Sequence, residues 1–368
     1  MSACTGMPRA GPAQPLTIVP LDQFCTVAIR GQTHWVGELS VRHTGLQPVM
    51  LTGLRASDGT GAVVLRLTQA QLLACAAAPD GRPAASLRMA PGEEHRVFIW
   101  HPLAASNARV HELSIAYALP TEPADERQAH SVRLPAQESP SALRPPLRGG
   151  PWVAVYDPAH PFGHRRAAFV RADVRYIPAR YAIDWIRVDA AGGVAPSPAA
   201  AADYARWHGF GQEVLAVADA RVALVRDGME DVLSSRLPRP GWTPADVAGN
   251  HVCLDIGAGR FVFYEHLQSG SIQVRENDRV LAGQVLARVG RSGVNSSGPH
   301  LHLHVADRPD VLFAQGRPCS ISGLRALGRY DSMDAAEEGK AWAPQTPPDP
   351  GLGQAGIPAP NAVVVFEA

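Results

Sequence analysis

The stretch GPHLHLHV, residues 298–305, places His300, His302 and His304 at every second position and fills the gaps with Leu301, Leu303 and Val305. Alternation of period two is the signature of a β-strand. Successive side chains leave on opposite faces, so the imidazoles share one face and the aliphatics the other. The aliphatic face belongs in a core. Neighbouring histidines on the other face sit roughly 6.5–7 Å apart, and zinc takes histidine nitrogen at about 2.1 Å. Two of the three can converge on one metal ion, whereas all three on a straight strand would have difficulty. For a single histidine, a polar strand face turned to water is the plainer reading. Three in alternation after the turn-forming NSSGP (295–299) favour a metal, and such a site needs at least one more ligand from elsewhere in the chain.

The rest of the composition narrows the class. At 368 residues the chain is long enough for two ordinary domains. A hydrophobic content of 46% against 18% charged residues describes a well-cored globular protein. The 34 basic residues balance 34 acidic ones, so there is no basic field to recruit nucleic acid or an anionic membrane. Lys340 is the only lysine, which reads as codon bias in a GC-rich genome. Cys4, Cys25, Cys75, Cys253 and Cys319 show no CxxC and no paired spacing, which argues against a zinc–thiolate site and a dense disulfide framework. The start, MSACTGMPRAGPAQP, lacks a basic residue cluster followed by an apolar run, so no signal peptide is legible. No stretch approaches the roughly 18 apolar residues of a membrane-spanning helix.

Along the chain, residues 1–15 read as a flexible start and 16–135 as a series of short strands. GELSVRH (37–43), HRVFIWH (95–101) and HELSIAYAL (111–119) alternate apolar and polar residues, and SDGTG (57–61) and APGEE (90–94) mark turns. A short helix is expected around TQAQLLACAAA (68–78). This spacing suggests an immunoglobulin-like β-sandwich, without the Cys–Trp–Cys pattern of a true immunoglobulin domain. Its histidines, His34, His43, His95, His101 and His111, read as surface or satisfied residues. QESPSALRPPLRGGP (137–151) marks a Pro/Gly-rich linker over 136–150. Residues 151–325 are again strand-rich and form the second domain. Residues 326–368 read as a proline-rich tail, APQTPPDPGLGQAGIPAP (343–360), closing on NAVVVFEA (361–368), a strand expected to add to a sheet edge. The fold class is therefore all-β.

Three places in the second domain offer partners for the histidine strand. YAIDW (181–185) sets Asp184 among apolar neighbours, where an acid is costly unless it meets a metal or a cation. A salt bridge to Arg180 or Arg187 is the alternative. HPFGHRR (160–166) offers His160 and His164 in a loop. YEHL (264–267) places His266 on a strand, in phase with Tyr264, with Phe261 and Phe263 on the opposite face.

RYAIDW (180–185), EVLAVADARV (213–222), FYEHLQSGSIQVRENDRVLAGQ (263–284) and GRSGVNSSGPHLHLHV (290–305), in this order and spacing, resemble the lysostaphin-type (LytM-like) zinc metallopeptidases, over roughly residues 150–320. Those enzymes cut peptide bonds in bacterial cell-wall peptidoglycan. The resemblance implies a mostly antiparallel β-sheet with one zinc ion per chain in a groove on one face, and a peptidoglycan peptide or another peptide as substrate. It makes His302 and Asp184 zinc ligands, and His266 and His300 the pair that handles protons and polarises the scissile carbonyl. The chemistry agrees. A catalytic zinc keeps three protein ligands and an open position, its water ionises near neutral pH, and histidine titrates close by.

Two departures stand out. The family commonly shows H-x-x-x-D, but the position four before Asp184 is Arg180, which cannot ligate zinc. His164 is the expected third ligand, with His160 in reserve. His304 stands where glutamate is frequent. It lies on the site-facing side and is expected to bind substrate together with Tyr264, or else to take the place of a solvated acid. Asn277 replaces a glycine usual in the turn VRENDRV (274–280), and asparagine is the next best residue for a left-handed turn. The loss at position 180 keeps open a second reading, a non-catalytic relative that acts as a binding or activator module for cell-wall hydrolases. Retention of Asp184, His266, His300 and His302 argues against it. A third reading, another zinc chemistry such as a hydratase in which His300 and His302 both ligate, would need a third histidine and leave Asp184 without a role. The family substrate implies a periplasmic or extracellular location, although no export signal is legible.

Overall fold

The structure, a computed structural model, describes residues 15–29, 31–103, 109–119, 128–135, 139–160, 163–234, 242–294, 298–332, 334–335, 340–345 and 356–367. Residues 1–14 of the expected flexible start, 136–138 of the linker, and 333, 336–339, 346–355 and 368 of the expected tail lie outside the described residues. Strands dominate, and the chain divides into two compact units, Met1–Thr26 with Thr33–Glu138 and Val27–Gln32 with Ser139–Ala368.

The first unit contains two antiparallel sheets. One runs in the order Leu16–Pro20, Gln32–His43, Glu94–Pro102, Ala76–Ala77, and the other Gln128–Arg133, Glu112–Ala118, Val49–Ser57, Val63–Thr68. Alternating residues of both, among them Leu39, Val41, Leu51, Leu113 and Ile115, are buried in one apolar cluster. That is how half-buried strands of period two remove their apolar face from water. The expected helix forms over Gln69–Cys75. Thr68 caps it, accepting the Gln71 amide at 3.3 Å while the Gln71 side chain accepts the Thr68 amide at 2.9 Å, the reciprocal box that satisfies two orphan donors. His43 is buried and its two ring nitrogens lie 2.9 and 2.6 Å from the carbonyls of Pro15 and Gln47, so it is a satisfied histidine.

The second unit is organised by one large sheet. Its central described strands run in the order Ala220–Arg226, Asn250–Asp255, Phe261–Leu267, Leu301–Ala306, Ile183–Arg187, Gly149–Val155, Ala362–Phe366, Leu324–Arg329, each antiparallel to its neighbour. Leu301, Leu303 and Val305 are buried, and pairing sets them beside Trp185, Ile183, Tyr264 and Val262 on the same face. The expected split of the histidine strand into an apolar and an imidazole face is what the structure shows. Asn277 adopts φ 75°, and its carboxamide oxygen accepts the Arg221 guanidinium at 2.6 Å, so the hairpin keeps its left-handed turn without glycine.

Two expectations need correction. Part of the supposed linker is structured: Ser141–Leu143 pairs in parallel with Cys319–Ile321, and Leu143 and Leu147 are buried. These leucines supply the apolar anchors that a proline-rich composition conceals. The closing strand is not an edge addition either. Ala362–Phe366 lies between Gly149–Val155 and Leu324–Arg329 and pairs with both. Val363, fully buried, packs with Val153, Ile186 and Tyr330. A run of consecutive apolar residues is what a strand covered on both faces requires. Val363→Asp should therefore bury an unpaired carboxylate, cost about 4 kcal/mol or more and lower the melting temperature by roughly 10 °C. A thermal unfolding midpoint within a degree of wild type would show the strand to be dispensable.

Candidate metal centre

Cross-strand register assembles the site. His302 stands directly opposite Asp184 on one neighbouring strand and Glu265 on the other, so Glu265, His302 and Asp184 form one row across three strands. Opposed residues in an antiparallel pair project to the same face about 4.5–5.5 Å apart. Nδ1 of His302 lies 2.7 Å from Asp184 Oδ1. His164, on the short 3-10 turn His164–Arg166, brings Nε2 to 3.2 Å from Asp184 Oδ2 and sets its ring edge-on to His302 at 4.9 Å. His300 Nε2 is 3.5 Å from Asp184 Oδ1. The described partners of this carboxylate are thus three imidazoles. Neither expected arginine takes it: Arg180 donates to the Gly316 carbonyl at 3.2 Å and to Gln315 Oε1 at 3.1 Å, while Arg187 donates to Gln212 and the Gly150 carbonyl.

His266 reaches this face by a backbone device. Strict alternation along Phe261–Leu267 would put it with Tyr264 on the core side. Instead His266 adopts φ 61°, beside an irregularity in the pairing with Asn250–Asp255. Left-handed backbone is uncommon for a residue with a Cβ and recurs at functional sites. The reversal carries the ring to 4.9 Å from His300 and 5.9 Å from His302, centroid to centroid. Its Nδ1–H donates to the Ser292 carbonyl at 2.9 Å, and Nδ1–H of His300 donates to the Gly298 carbonyl at 2.9 Å. A carbonyl can only accept, so in each neutral ring the basic nitrogen is Nε2. Glycine makes both clamps possible. A Cβ on Gly249 would collide with the Ser292 backbone, and one on Gly298 with the Trp207 ring, itself fixed by donating Nε1–H to the Ala201 carbonyl.

Among the described residues, three overlapping sets could hold a metal: His164, Asp184 and His302; His266, His300 and His302; Glu265, His302 and His304. His302 belongs to all three. Only the first reaches solvent, through His164 and Asp184, whose side chains are 29% and 13% exposed. The structure thus gathers His164, Asp184, His266, His300, His302 and His304 from the sequence expectation. His160 is exposed and belongs to none of the sets. Tyr264 corrects the expectation outright. It is fully buried on the opposite face, where its hydroxyl accepts the Val217 amide at 2.9 Å, so it cannot line the site. The phase shift at His266 is the reason, because Tyr264 and His266 do not share a face. His304 is also buried, stacked on Phe263 at 4.9 Å and 3.1 Å from His302 Nε2, rather than presented to a ligand. Glu265 went unnoticed in sequence. Its signal was the one used for Asp184, an acid inside an apolar strand.

Residues 205–312 match the family model described as peptidase family M23. This segment is an M23 peptidase domain. It contains His266, His300, His302 and His304, while His164 and Asp184 precede it. No curated protein matches the chain. Among solved structures, the catalytic domain of the antimicrobial peptidase lysostaphin from Staphylococcus simulans is 17% identical, with 46% of this chain and 88% of that one covered and a TM-score of 0.24. The catalytic domain of the prophage-encoded M23 protein EnpA from Enterococcus faecalis is 21% identical over 29% of this chain and 74% of that one, TM-score 0.22. A zinc-containing peptidase from Vibrio cholerae is 14% identical over 79% and 82%, TM-score 0.27. Scores of this size carry no argument about fold or chemistry.

Electrostatics separate the imidazoles of this cluster. Burial, reinforced by His300 and His302, holds His266 well below the ordinary imidazole value, burial lowers His300, and burial with His302 lowers His304 strongly. Burial also opposes protonation of His302, but the carboxylates of Glu265 and Asp184 outweigh it and raise this ring. Burial would raise Asp184, yet His164, His300 and His302 hold it well below the usual carboxylate range, while burial raises Glu265. In the unfolded chain all these imidazoles titrate near pH 6.5. As pH falls below that value, His266, His300 and His304 take up protons only on unfolding, each lowering stability by up to about 1.4 kcal/mol per pH unit. Glu265, raised, works in the opposite sense and offsets at most one of them. His302, raised, contributes stability that is fully present below pH 6.5 and lost at higher pH. Asp184 loses its contribution only well below this window. The urea midpoint of metal-free protein should therefore fall between pH 7 and pH 5, and a flat or rising midpoint would contradict these assignments.

Proposed function

We propose that the chain is a zinc-dependent endopeptidase that hydrolyses peptide bonds in peptidoglycan cross-links or bridges. The observation that carries this reading is the row of His302 and Asp184 joined by His164, three N and O donors within 4.8 Å of one another at the partly exposed end of a buried histidine face. The donor set fits zinc: two imidazoles and a carboxylate, with solvent on one side for a fourth position. His164 would hold it through Nε2, Asp184 through a carboxylate oxygen and His302 through Nδ1. Bound there, zinc would supply a Lewis acid and a water that ionises near neutral pH.

The chain's own residues divide the remaining work. His266 and His300 turn Nε2 toward the site, since their Nδ1–H groups are committed to the Ser292 and Gly298 carbonyls. Both are neutral at pH 7 because burial lowers them, so one can accept a proton from the attacking water and deliver it to the leaving amine. While it carries that proton, its Nε2–H can donate to the oxyanion before the proton passes to the amine, and the other ring, neutral, can accept the water's second hydrogen through Nε2. The buried walls exclude bulk water and strengthen these contacts. Arg180 stands where the resemblance expects a histidine, four positions before Asp184, and His164 would restore the donor count from an upstream turn.

Purified protein should bind about one zinc per chain, lost in His302→Ala and much reduced in Asp184→Ala and His164→Ala. His266→Ala should keep the metal and lose turnover of purified peptidoglycan by about 10²–10⁴-fold, with released peptides identified by mass. A wild-type protein that takes up no zinc at neutral pH would overturn the peptidase and favour a binding module.

A further inference from the structure

Glu265 and His304 are buried beside the candidate ligands and take no part in the steps above. His302 Nε2 lies 3.1 Å from His304 Nδ1, and the two carboxylate oxygens of Glu265 lie 3.9 Å from these same two nitrogens, one from each. His304 rests flat against Phe263, at an interplanar angle of 9°, so its ring is held in one plane. No lysine or arginine shares this corner with Glu265, whose described ion-pair partners are the two histidines. On the other side of the His302 ring, Nδ1 faces Asp184.

The tautomers follow. If Nδ1 of His302 is to donate a lone pair to a metal, the ring proton must sit on Nε2. His304 Nδ1 must then be the acceptor, and its own proton sits on Nε2, which makes no hydrogen bond among the described residues. The Glu265 carboxylate, equally far from both nitrogens, stabilises the polarised hydrogen between the rings, and ligation at Nδ1 would keep that hydrogen on His302 Nε2. A ligating histidine nearly always donates its second N–H in this manner, which fixes its tautomer and orientation and raises its basicity.

We propose that His304 and Glu265 are positioning residues that hold the His302 ring with Nδ1 presented to the metal. His304 accepts from its far nitrogen and Glu265 stabilises the hydrogen they share. This rests on the zinc reading above. The same atoms form one of the three candidate ligand sets, but a metal between His302 and His304 would strip the proton from His302 Nε2 and leave that ring a bridging imidazolate. The one-metal arrangement needs no such ionisation.

Zinc affinity of the full chain, measured by competition with a chromophoric chelator, tests the assignment. His304→Leu and Glu265→Gln should each weaken zinc by about 10–100-fold at an unchanged stoichiometry near one. His304→Asn, whose amide oxygen can replace Nδ1 as acceptor, should recover most of the loss. The visible spectrum of cobalt-loaded protein should shift in His304→Leu and return in His304→Asn, which a general loss of stability would not produce. Wild-type protein that binds one zinc, with variants that bind it as tightly, overturns the positioning role and leaves the peptidase reading standing. Two zinc ions in wild type and one in His304→Leu also overturn it, in favour of a second metal. No zinc in wild type overturns both readings.

Discussion

The pairing of Leu301–Ala306 with a strand on each side is the constraint on which the site depends. It sets Glu265, His302 and Asp184 in one row. Because side chains alternate with a period of two, a slip of one residue would turn every imidazole into the core and every leucine toward solvent. Leu301, Leu303 and Val305, buried against Trp185, Ile183, Tyr264 and Val262, oppose that slip. The aliphatic residues of the histidine strand thus fix the site as firmly as the histidines do. A metal ion would inherit this order.

The charge arrangement has a similar economy. Asp184 and Glu265 flank His302, the described ion-pair partners of both are imidazoles, and every side chain between them and the protein interior is covered. Two carboxylates among imidazoles form a place where a dication is welcome and a monovalent side chain is not required. Toward the far end of the face the polarity gives out: Cys253, Phe263, Ala306 and Ala314 form a small dry cluster. The histidine face is consequently partly exposed at His164 and buried at His304.

Much of this was legible in the sequence where local rules decide. The triplet at 300–304 announced a strand with two unlike faces, and Asp184 in an apolar run announced a paired carboxylate. The helix at Gln69–Cys75 carried its own cap. What stayed hidden depended on partners far away in the chain. Glu265 obeys the same rule as Asp184, but its importance comes from standing opposite His302, and register cannot be read from one strand. Tyr264 was misplaced because simple alternation ran through His266, where the backbone turns left-handed. Nothing in YEHL advertises that φ, and the carbonyl that receives the turned ring, Ser292, comes from another segment. His164 meets Asp184 because a turn some twenty residues upstream folds back to it; the sequence offered both His160 and His164 in that loop, and only the fold shows which of them arrives.

The strand Ala362–Phe366 has a consequence for how the molecule is made. Val153 finds Val363 roughly two hundred residues later in the chain, a closure whose entropy must be met before any contact rewards it, so such pairings form slowly. Until this strand arrives, Gly149–Val155 and Leu324–Arg329 each show an unpaired edge in the middle of the sheet, the kind of template on which nascent chains associate. The half of the sheet that carries the histidines is thereby joined to a late-filled slot, and the arrival of Ala362–Phe366 governs whether that half has a finished partner to lean on.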